Sequence, residues 1–236
     1  MSEVTYVCVH GVGLWPTLFD SLDLGSKVRL VVRPGYDTVS SVDGFGDQVA
    51  VVAEAIHEAA PSVVVGVSGG ATLALACASR RVDGLVGAVS HEPLVGALAP
   101  ELDVRVANAG ADLEAAPSEK AALEFVSGLY GAESWKRIPE AGRDWARRHA
   151  STICRDVGLF SSYQPPADAL ASLTVPHLTT VGSVSAPVRH DIAHLLGALG
   201  SSTAVVEGSG HLVLIDQPAR FASLIHQFTS EISSCT

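Results

Sequence analysis

The chain has 236 residues, 47% of them hydrophobic, and a formal net charge of −10 at pH 7. This length and apolar content can fill the core of one α/β domain that carries an insertion. The excess of 25 acidic over 15 basic residues argues against binding to nucleic acid or to an anionic membrane surface. We therefore expect a small-molecule substrate.

The N-terminus and the cysteines indicate the compartment. The opening sequence MSEVTYVCVHGVG has an acidic residue where a secretion signal is positively charged, and no stretch approaches the ~18 apolar residues of a membrane span. Cys8, Cys77, Cys154 and Cys235 are far apart and form no CxxC pair. This spacing is typical of reduced, buried thiols. We expect a cytoplasmic protein without a metal site, and the pattern favours no particular oligomeric state.

Six short apolar runs are typical of strands that are buried on both faces of a parallel sheet. They are Val4–Val9, Val28–Val32, Ser62–Val67, Leu85–Ser90, His177–Val181 and Thr203–Val206. Helical periodicity fills the gaps, as at Val49, Val52 and Ile56. Strands that alternate with helices predict right-handed crossovers and hence a doubly wound sheet.

The interval from residue 94 to residue 172 breaks this alternation, because it contains helical patterns and no convincing strand. One helix is predicted to begin at Pro117-Ser118-Glu119. We therefore predict a core formed by residues 1–93 and 173–236, with residues 94–172 as a helical insertion over the sheet.

The segment Val64-Val65-Gly66-Val67-Ser68-Gly69-Gly70 contains the pattern GxSxG. It follows a predicted strand and precedes a helix of small residues, which is the order of a nucleophile elbow. Ser68 is therefore the candidate nucleophile. The alternative is a tight strand-to-helix turn without chemistry.

Two glycine-containing loops provide candidate partners for Ser68. The segment His10-Gly11-Val12-Gly13 ends the first strand, and the backbone N–H groups of Val12 and Gly69 are the predicted oxyanion donors. His211 follows a strand and the loop Gly208-Ser209-Gly210, which would place its imidazole at the carboxyl edge of the sheet as a general base. An ordinary turn at His10-Gly11 is the alternative for the first loop.

Over nearly its full length the chain resembles proteins of the α/β-hydrolase fold. The resemblance lies in the GxSxG segment, the His-Gly loop, the loop before His211 and the sequence Arg33-Pro34-Gly35-Tyr36. It implies an eight-stranded fold trimmed to about six strands, with the helical insertion as the cap.

The family usually places its catalytic acid after the strand that follows the cap, but the matching segment, Val181-Gly182-Ser183-Val184-Ser185-Ala186-Pro187, has no acid. Glu92 is the best substitute, because it directly follows the fourth predicted strand and keeps the chain order serine, acid, histidine. Its alternative role is to bind backbone beside Pro93. Asp191 is a weaker candidate inside the next helix, and His91 is expected to face away from the site.

The substrate pocket is expected between the sheet edge and the cap, with Trp15 as the preferred substrate contact. Further candidates for its walls are Val12, Leu94, Phe125, Trp135, Trp145 and Tyr163.

The leading hypothesis is a cofactor-free serine hydrolase that acts on a small ester, thioester or lactone through an acyl-enzyme. The displaced acid leaves two alternatives open. One is a non-hydrolytic enzyme of the same fold, such as a cyclase or lyase of secondary metabolism that uses His211 as base, and the other is a non-catalytic ligand-binding protein.

Overall fold

The computed structural model describes residues 4–25, 27–36 and 44–234. Its centre is one sheet of six strands: β1 (Thr5–Val9), β2 (Val28–Val31), β3 (Ser62–Val67), β4 (Leu85–His91), β5 (His177–Gly182) and β6 (Ser202–Val206). Every pairing is parallel, and the strand order is β2-β1-β3-β4-β5-β6. The fold predicted from the apolar runs is confirmed.

Helices cover both faces of the sheet and the edge where its strands end. The α-helices are α1 (Phe45–Glu58), α2 (Gly69–Ser79), α3 (Pro100–Ala115), α4 (Glu119–Tyr130), α5 (Ala132–Arg137), α6 (Glu140–Arg148), α7 (Ala150–Leu159), α8 (Ala167–Ala171), α9 (Pro187–Ala198), α10 (Val213–Asp216) and α11 (Pro218–Ser234). Short 3-10 helices span Pro16–Ser21, Gly96–Leu98 and Phe160–Ser162. No helix among the described residues has the length and apolar composition needed to cross a bilayer.

The core is built on the central strands, since β3 is buried along its whole length and packs between the sheet neighbours β1 and β4. A strand covered on both faces needs apolar residues at every position, which explains the uninterrupted run Val63 to Val65. Cys8, Cys77 and Cys154 are buried and unbridged, and burial raises the pKa of the Cys77 thiol to about 12. The prediction for Cys235 falls outside the described residues.

The described residues between β4 and β5 form helices joined by loops, without a strand, and we call residues 96–171 the helical segment. Ser118 caps α4 by accepting a hydrogen bond from the Ala121 N–H, as the sequence predicts. The segment lies over the loop after β1, because a Cβ atom added to Gly13 would be 2.8 Å from Val126. This placement agrees with a cap, while its boundaries as a separate unit stay a prediction.

Candidate active site

Ser68 occupies a sharp turn between β3 and α2. Its backbone angles are φ 57° and ψ −123°, a conformation that is strained for a residue with a side chain. The flanking glycines allow the turn. A Cβ atom added to Gly66 would lie 2.1 Å from the carbonyl oxygen of Gly70, and one added to Gly70 would lie 2.0 Å from the carbonyl oxygen of Val9. The GxSxG pattern is therefore required by close backbone contacts around Ser68.

His211 brings its imidazole to this turn from the loop after β6. Its Nε2 atom lies 2.9 Å from Ser68 Oγ, and its Nδ1 atom lies 2.6 Å from Glu92 Oε2. All three side chains are at least nine-tenths buried. The structure thus joins the three predicted residues in one hydrogen-bonded chain.

Glu92 follows β4 directly and has a positive φ of 51°, which turns its side chain toward His211. Its Oε1 atom accepts hydrogen bonds from the Gly182 N–H at 2.9 Å and from the Ser185 hydroxyl. Both donors belong to the segment that lacks the family's usual acid. That segment therefore orients an acid supplied by the neighbouring strand.

The electrostatics keep this chain of residues in a defined protonation state. Burial raises the pKa of Glu92, but the hydrogen bond and charge of His211, with help from His91 and Arg189, hold it well below its ordinary value. Burial and the Arg189 charge lower the pKa of His211, against the opposing effect of Glu92. At neutral pH a neutral His211 therefore donates through Nδ1 to an ionised carboxylate, which leaves Nε2 to accept the Ser68 proton.

His91 lies closer to the candidate acid than the alternation of β4 suggests. Its Nε2 atom is 3.7 Å from Glu92 Oε1, and its Nδ1 atom lies 3.0 Å from the Thr180 hydroxyl. Burial lowers the pKa of His91 to about 4. His91 is therefore a neutral residue that packs behind Glu92.

Val12 and Gly69, the predicted oxyanion donors, both line a small cavity of about 40 Å³ that includes Ser68. The Gly69 N–H is the first of helix α2 and so has no acceptor within the helix. The loop that carries Val12 is fixed from the helical segment, since the Tyr130 hydroxyl donates to the Val12 carbonyl oxygen at 2.7 Å. The Tyr130 ring also stacks on His211, with 5.5 Å between ring centroids.

A buried ion pair holds the same loop from the other side. Arg33 binds Asp156 of α7 through two hydrogen bonds, of 2.6 and 3.0 Å, and neither side chain is exposed. The Tyr36 hydroxyl donates to Asp156 at 2.9 Å and accepts from the Gly13 N–H at 2.9 Å. Arg33 also donates to the Gly11 carbonyl oxygen at 3.2 Å. The Arg-Pro-Gly-Tyr sequence thus positions the candidate oxyanion loop.

A larger cavity of about 840 Å³ is lined by His211 and Glu92. Val106, Phe125 and Leu129 line both this cavity and the small one. Leu94 also lines the small cavity. These residues form a continuous apolar wall from Ser68 into the larger space.

Several residues predicted for the pocket lie elsewhere. Trp15 packs on α6, since a Cβ added to Gly142 would be 2.3 Å from its ring, and it does not line the two cavities beside Ser68 in the described structure. Trp145 packs against His149. The position of Trp15 does not favour a substrate contact, because its indole ring packs against α6 of the helical segment.

Two further aromatic candidates and the second acid candidate line neither of these cavities in the described structure. Tyr163 stacks on Phe45, and Trp135 is a partly buried core residue. Asp191 is exposed on α9. The hydrogen-bonded chain is complete without any of them.

The sequence reasoning did not find Tyr130, Asp156 or Arg189. Asp156 did carry a signal, because it is an acid on the apolar face of α7 beside Ile153 and Val157, and a charge at such a position indicates a buried partner. Tyr130 carried none that separates it from an ordinary core aromatic residue.

Residues 6–224 match the model of the alpha/beta hydrolase family. The chain belongs to this family. No curated protein matches the sequence at a significant level.

Solved structures share the fold at low sequence identity. MenH from Staphylococcus aureus is 15% identical, with a TM-score of 0.75 over 99% of this chain and 96% of that one. The esterase EaEST from Exiguobacterium antarcticum is 18% identical, with a TM-score of 0.76 over 97% and 92%. NosK from Streptomyces actuosus is 22% identical, with a TM-score of 0.71 over 98% and 100%. These similarities show that the chain shares their fold.

Proposed function

We propose that the protein is a cofactor-free serine hydrolase that cleaves a small ester, thioester or lactone through an acyl-enzyme. The observation that supports this most directly is the chain of hydrogen bonds from Ser68 through His211 to Glu92, with distances of 2.9 and 2.6 Å. A nucleophile, a base and an acid that orients the base are the three groups that acyl transfer requires.

In the first half-reaction, Ser68 Oγ attacks the substrate carbonyl carbon while its proton moves to His211 Nε2. The carbonyl oxygen becomes an oxyanion, which the N–H groups of Val12 and Gly69 stabilise. The tetrahedral intermediate collapses by breaking the bond to the alcohol or thiol. The leaving group takes the proton from His211, and the acyl group remains on Ser68.

In the second half-reaction, water attacks the acyl-enzyme. His211 accepts a proton from this water, and the resulting tetrahedral intermediate collapses to release the carboxylic acid. The proton returns from His211 to Ser68 Oγ. Glu92 stays ionised throughout and stabilises the imidazolium that forms in each half-reaction.

The cavities limit the size of the reacting group. The space beside Ser68 is only about 40 Å³ and is enclosed by apolar side chains such as Phe160 and Val157. It accepts a carbonyl group and a narrow chain, whereas a bulkier portion of the substrate needs the larger cavity.

Steady-state hydrolysis of 4-nitrophenyl acetate and butyrate tests the proposal. We expect turnover by the wild-type protein and a loss of about 10⁴-fold or more in kcat for Ser68→Ala, since the members of a catalytic triad act together and removing the nucleophile abolishes their effect. Ser223→Ala is the matched control, because Ser223 is an exposed serine on α11. Equal activity of Ser68→Ala and the control would contradict the proposal.

A further inference from the structure

The larger cavity is lined by three arginines and three acids, and among the described residues one of these arginines, Arg105, forms no ion pair. Arg105, Arg137 and Arg189 line it together with Glu92, Glu124 and Asp216. Asp216 pairs with Arg137, and the exposed Glu124 lies 3.8 Å from Lys120. Within the described ranges, no acidic side chain pairs with Arg105.

Arg189 is the buried member of this group. Only 11% of its side chain is exposed, and it lines both the larger cavity and the small cavity at Ser68. Its Nη1 atom donates to the Glu92 carbonyl oxygen at 3.3 Å. Its Nε atom stays 3.8 Å from Glu92 Oε2, beyond hydrogen-bonding distance.

Glu92 cannot fully match this guanidinium, because its carboxylate already binds His211, Gly182 and Ser185. A guanidinium has five N–H donors in a planar fork, and the contacts with Glu92 involve only Nη1 and Nε. Among the described residues Nη2 has no hydrogen-bond acceptor, so this donor can bind a ligand in the cavity. A buried charge with an incomplete set of partners favours a bound counter-ion.

Arg105 adds a second positive charge to the same space. Burial and then the Arg105 charge lower the pKa of Arg189, while Glu92 raises it. The two guanidinium groups therefore repel each other across the cavity in the absence of a ligand. A negative charge between them would relieve this repulsion; the ionised Glu92 repels any anion in the cavity, and it repels a single charge less than a dianion.

We propose that Arg189 and Arg105 bind a carboxylate at the far end of the substrate's acyl chain. The apolar wall of Val106, Phe125 and Leu129, which the two cavities share, would hold the methylene groups between this carboxylate and the carbonyl at Ser68. The substrate class is a half-ester or half-thioester of a small dicarboxylic acid. This inference rests on the proposed hydrolase activity.

Two esters of matched shape test the inference. In 4-nitrophenyl hydrogen adipate the acyl chain ends in a carboxylate, and in 4-nitrophenyl 6-methylheptanoate an isopropyl group replaces it. We expect wild-type kcat/KM to favour the adipate by about ten- to a hundredfold, because hydrogen bonds to charged groups are the stronger ones. The ratio within each variant cancels effects on the chemical step.

Arg105→Gln should lower this ratio about threefold or more, and Arg189→Gln should remove the preference. Arg148→Gln is the control, because it removes the same charge from an exposed position on α6 outside the cavity, and its ratio should equal the wild-type ratio. A wild-type ratio of one or less, or an equal fall in Arg148→Gln, would overturn the inference.

Failure of the two proposals can be distinguished. If Ser68 hydrolyses the neutral ester and the adipate is not preferred, the inference fails and the hydrolase proposal stands. If neither ester is hydrolysed, the hydrolase proposal fails, and calorimetric titration with hexanoate against hexanamide decides the inference. Preferential binding of hexanoate that Arg105→Gln weakens would support the anion site, and equal binding would overturn it.

Discussion

Two buried carboxylates, Asp156 and Glu92, differ in how they are paired. Asp156 forms two short hydrogen bonds with Arg33 and accepts a third from Tyr36. Glu92 meets its arginine at 3.8 Å and forms its short hydrogen bond with His211. Glu92 lines both cavities, whereas Asp156 lines neither of them.

This difference in pairing indicates a structural role for Asp156 and leaves Glu92 as the candidate catalytic acid. The Asp156 pair is bidentate and closed to the cavities, so it fixes the loop of Val12 against α7 without contacting a ligand. One oxygen of Glu92 contacts the candidate base, and the residue lines both cavities. Burial and charge alone would not distinguish the two residues, but access to a cavity does.

The largest expected effect is on turnover. Glu92→Gln should reduce kcat about 10⁴-fold with little change in KM, because the neutral amide no longer stabilises the imidazolium or holds the neutral imidazole in the reactive tautomer. Asp191→Asn is the control, since Asp191 is exposed on α9, and it should keep wild-type kinetics. Steady-state measurements on a short ester would contradict the assignment if Asp191→Asn were the impaired variant.

Asp156 should matter most for stability. Asp156→Asn leaves the buried Arg33 without its counter-charge, which typically costs about 3–5 kcal/mol. For a domain of this size the melting temperature should fall by roughly 6–20 °C. Asp144→Asn, which breaks a partly exposed ion pair with Arg147, should cost about 1 kcal/mol or less. If calorimetry found the same fall in melting temperature for Asp156→Asn and Asp144→Asn, the Arg33–Asp156 pair would contribute no more to stability than a surface ion pair.

The pH dependence of activity reports on the protonation state of His211, the partner of Glu92. His211 must be neutral to accept a proton, and its pKa is lowered by burial and by Arg189, so activity should persist below the ordinary histidine value of about 6.5. Activity is lost as pH falls through this lowered pKa.

Arg189→Gln removes one of the charges that lower the pKa, and the acid limb of kcat/KM should move to higher pH. Arg148→Gln should leave the limb in place because its charge is distant and exposed. An unchanged limb in Arg189→Gln would contradict the electrostatic role of that residue.

The smallest effect is expected for Tyr130, which contacts the candidate oxyanion loop and not an acid. Tyr130→Phe removes the hydrogen bond to the Val12 carbonyl oxygen and should lower kcat/KM about two- to tenfold, the equivalent of ~0.5–1.5 kcal/mol. Tyr163→Phe, whose hydroxyl has only a 3.4 Å contact with Ser79, should behave as wild type. A loss shared equally by both variants would argue against a specific role for Tyr130.

The sequence predicted the sheet because strands buried on both faces need continuous apolar runs, and it predicted Ser68 because only glycines fit beside the turn. It also predicted Glu92 from chain order and strand position. The pocket was not predictable in the same way. Trp15 lies near Val12 in sequence, but its contacts depend on how α6 packs. Arg189 and Glu92 are 97 residues apart in the chain, so only the tertiary fold brings them together.

The covalent reactivity of Ser68 is the most direct test of the account. Treatment with a fluorophosphonate, followed by intact-mass spectrometry and peptide mapping, should give one adduct per chain on the peptide that contains Ser68, and none in Ser68→Ala. An adduct on another residue, or an unlabelled wild-type protein that is fully folded, would contradict the Ser68–His211–Glu92 mechanism.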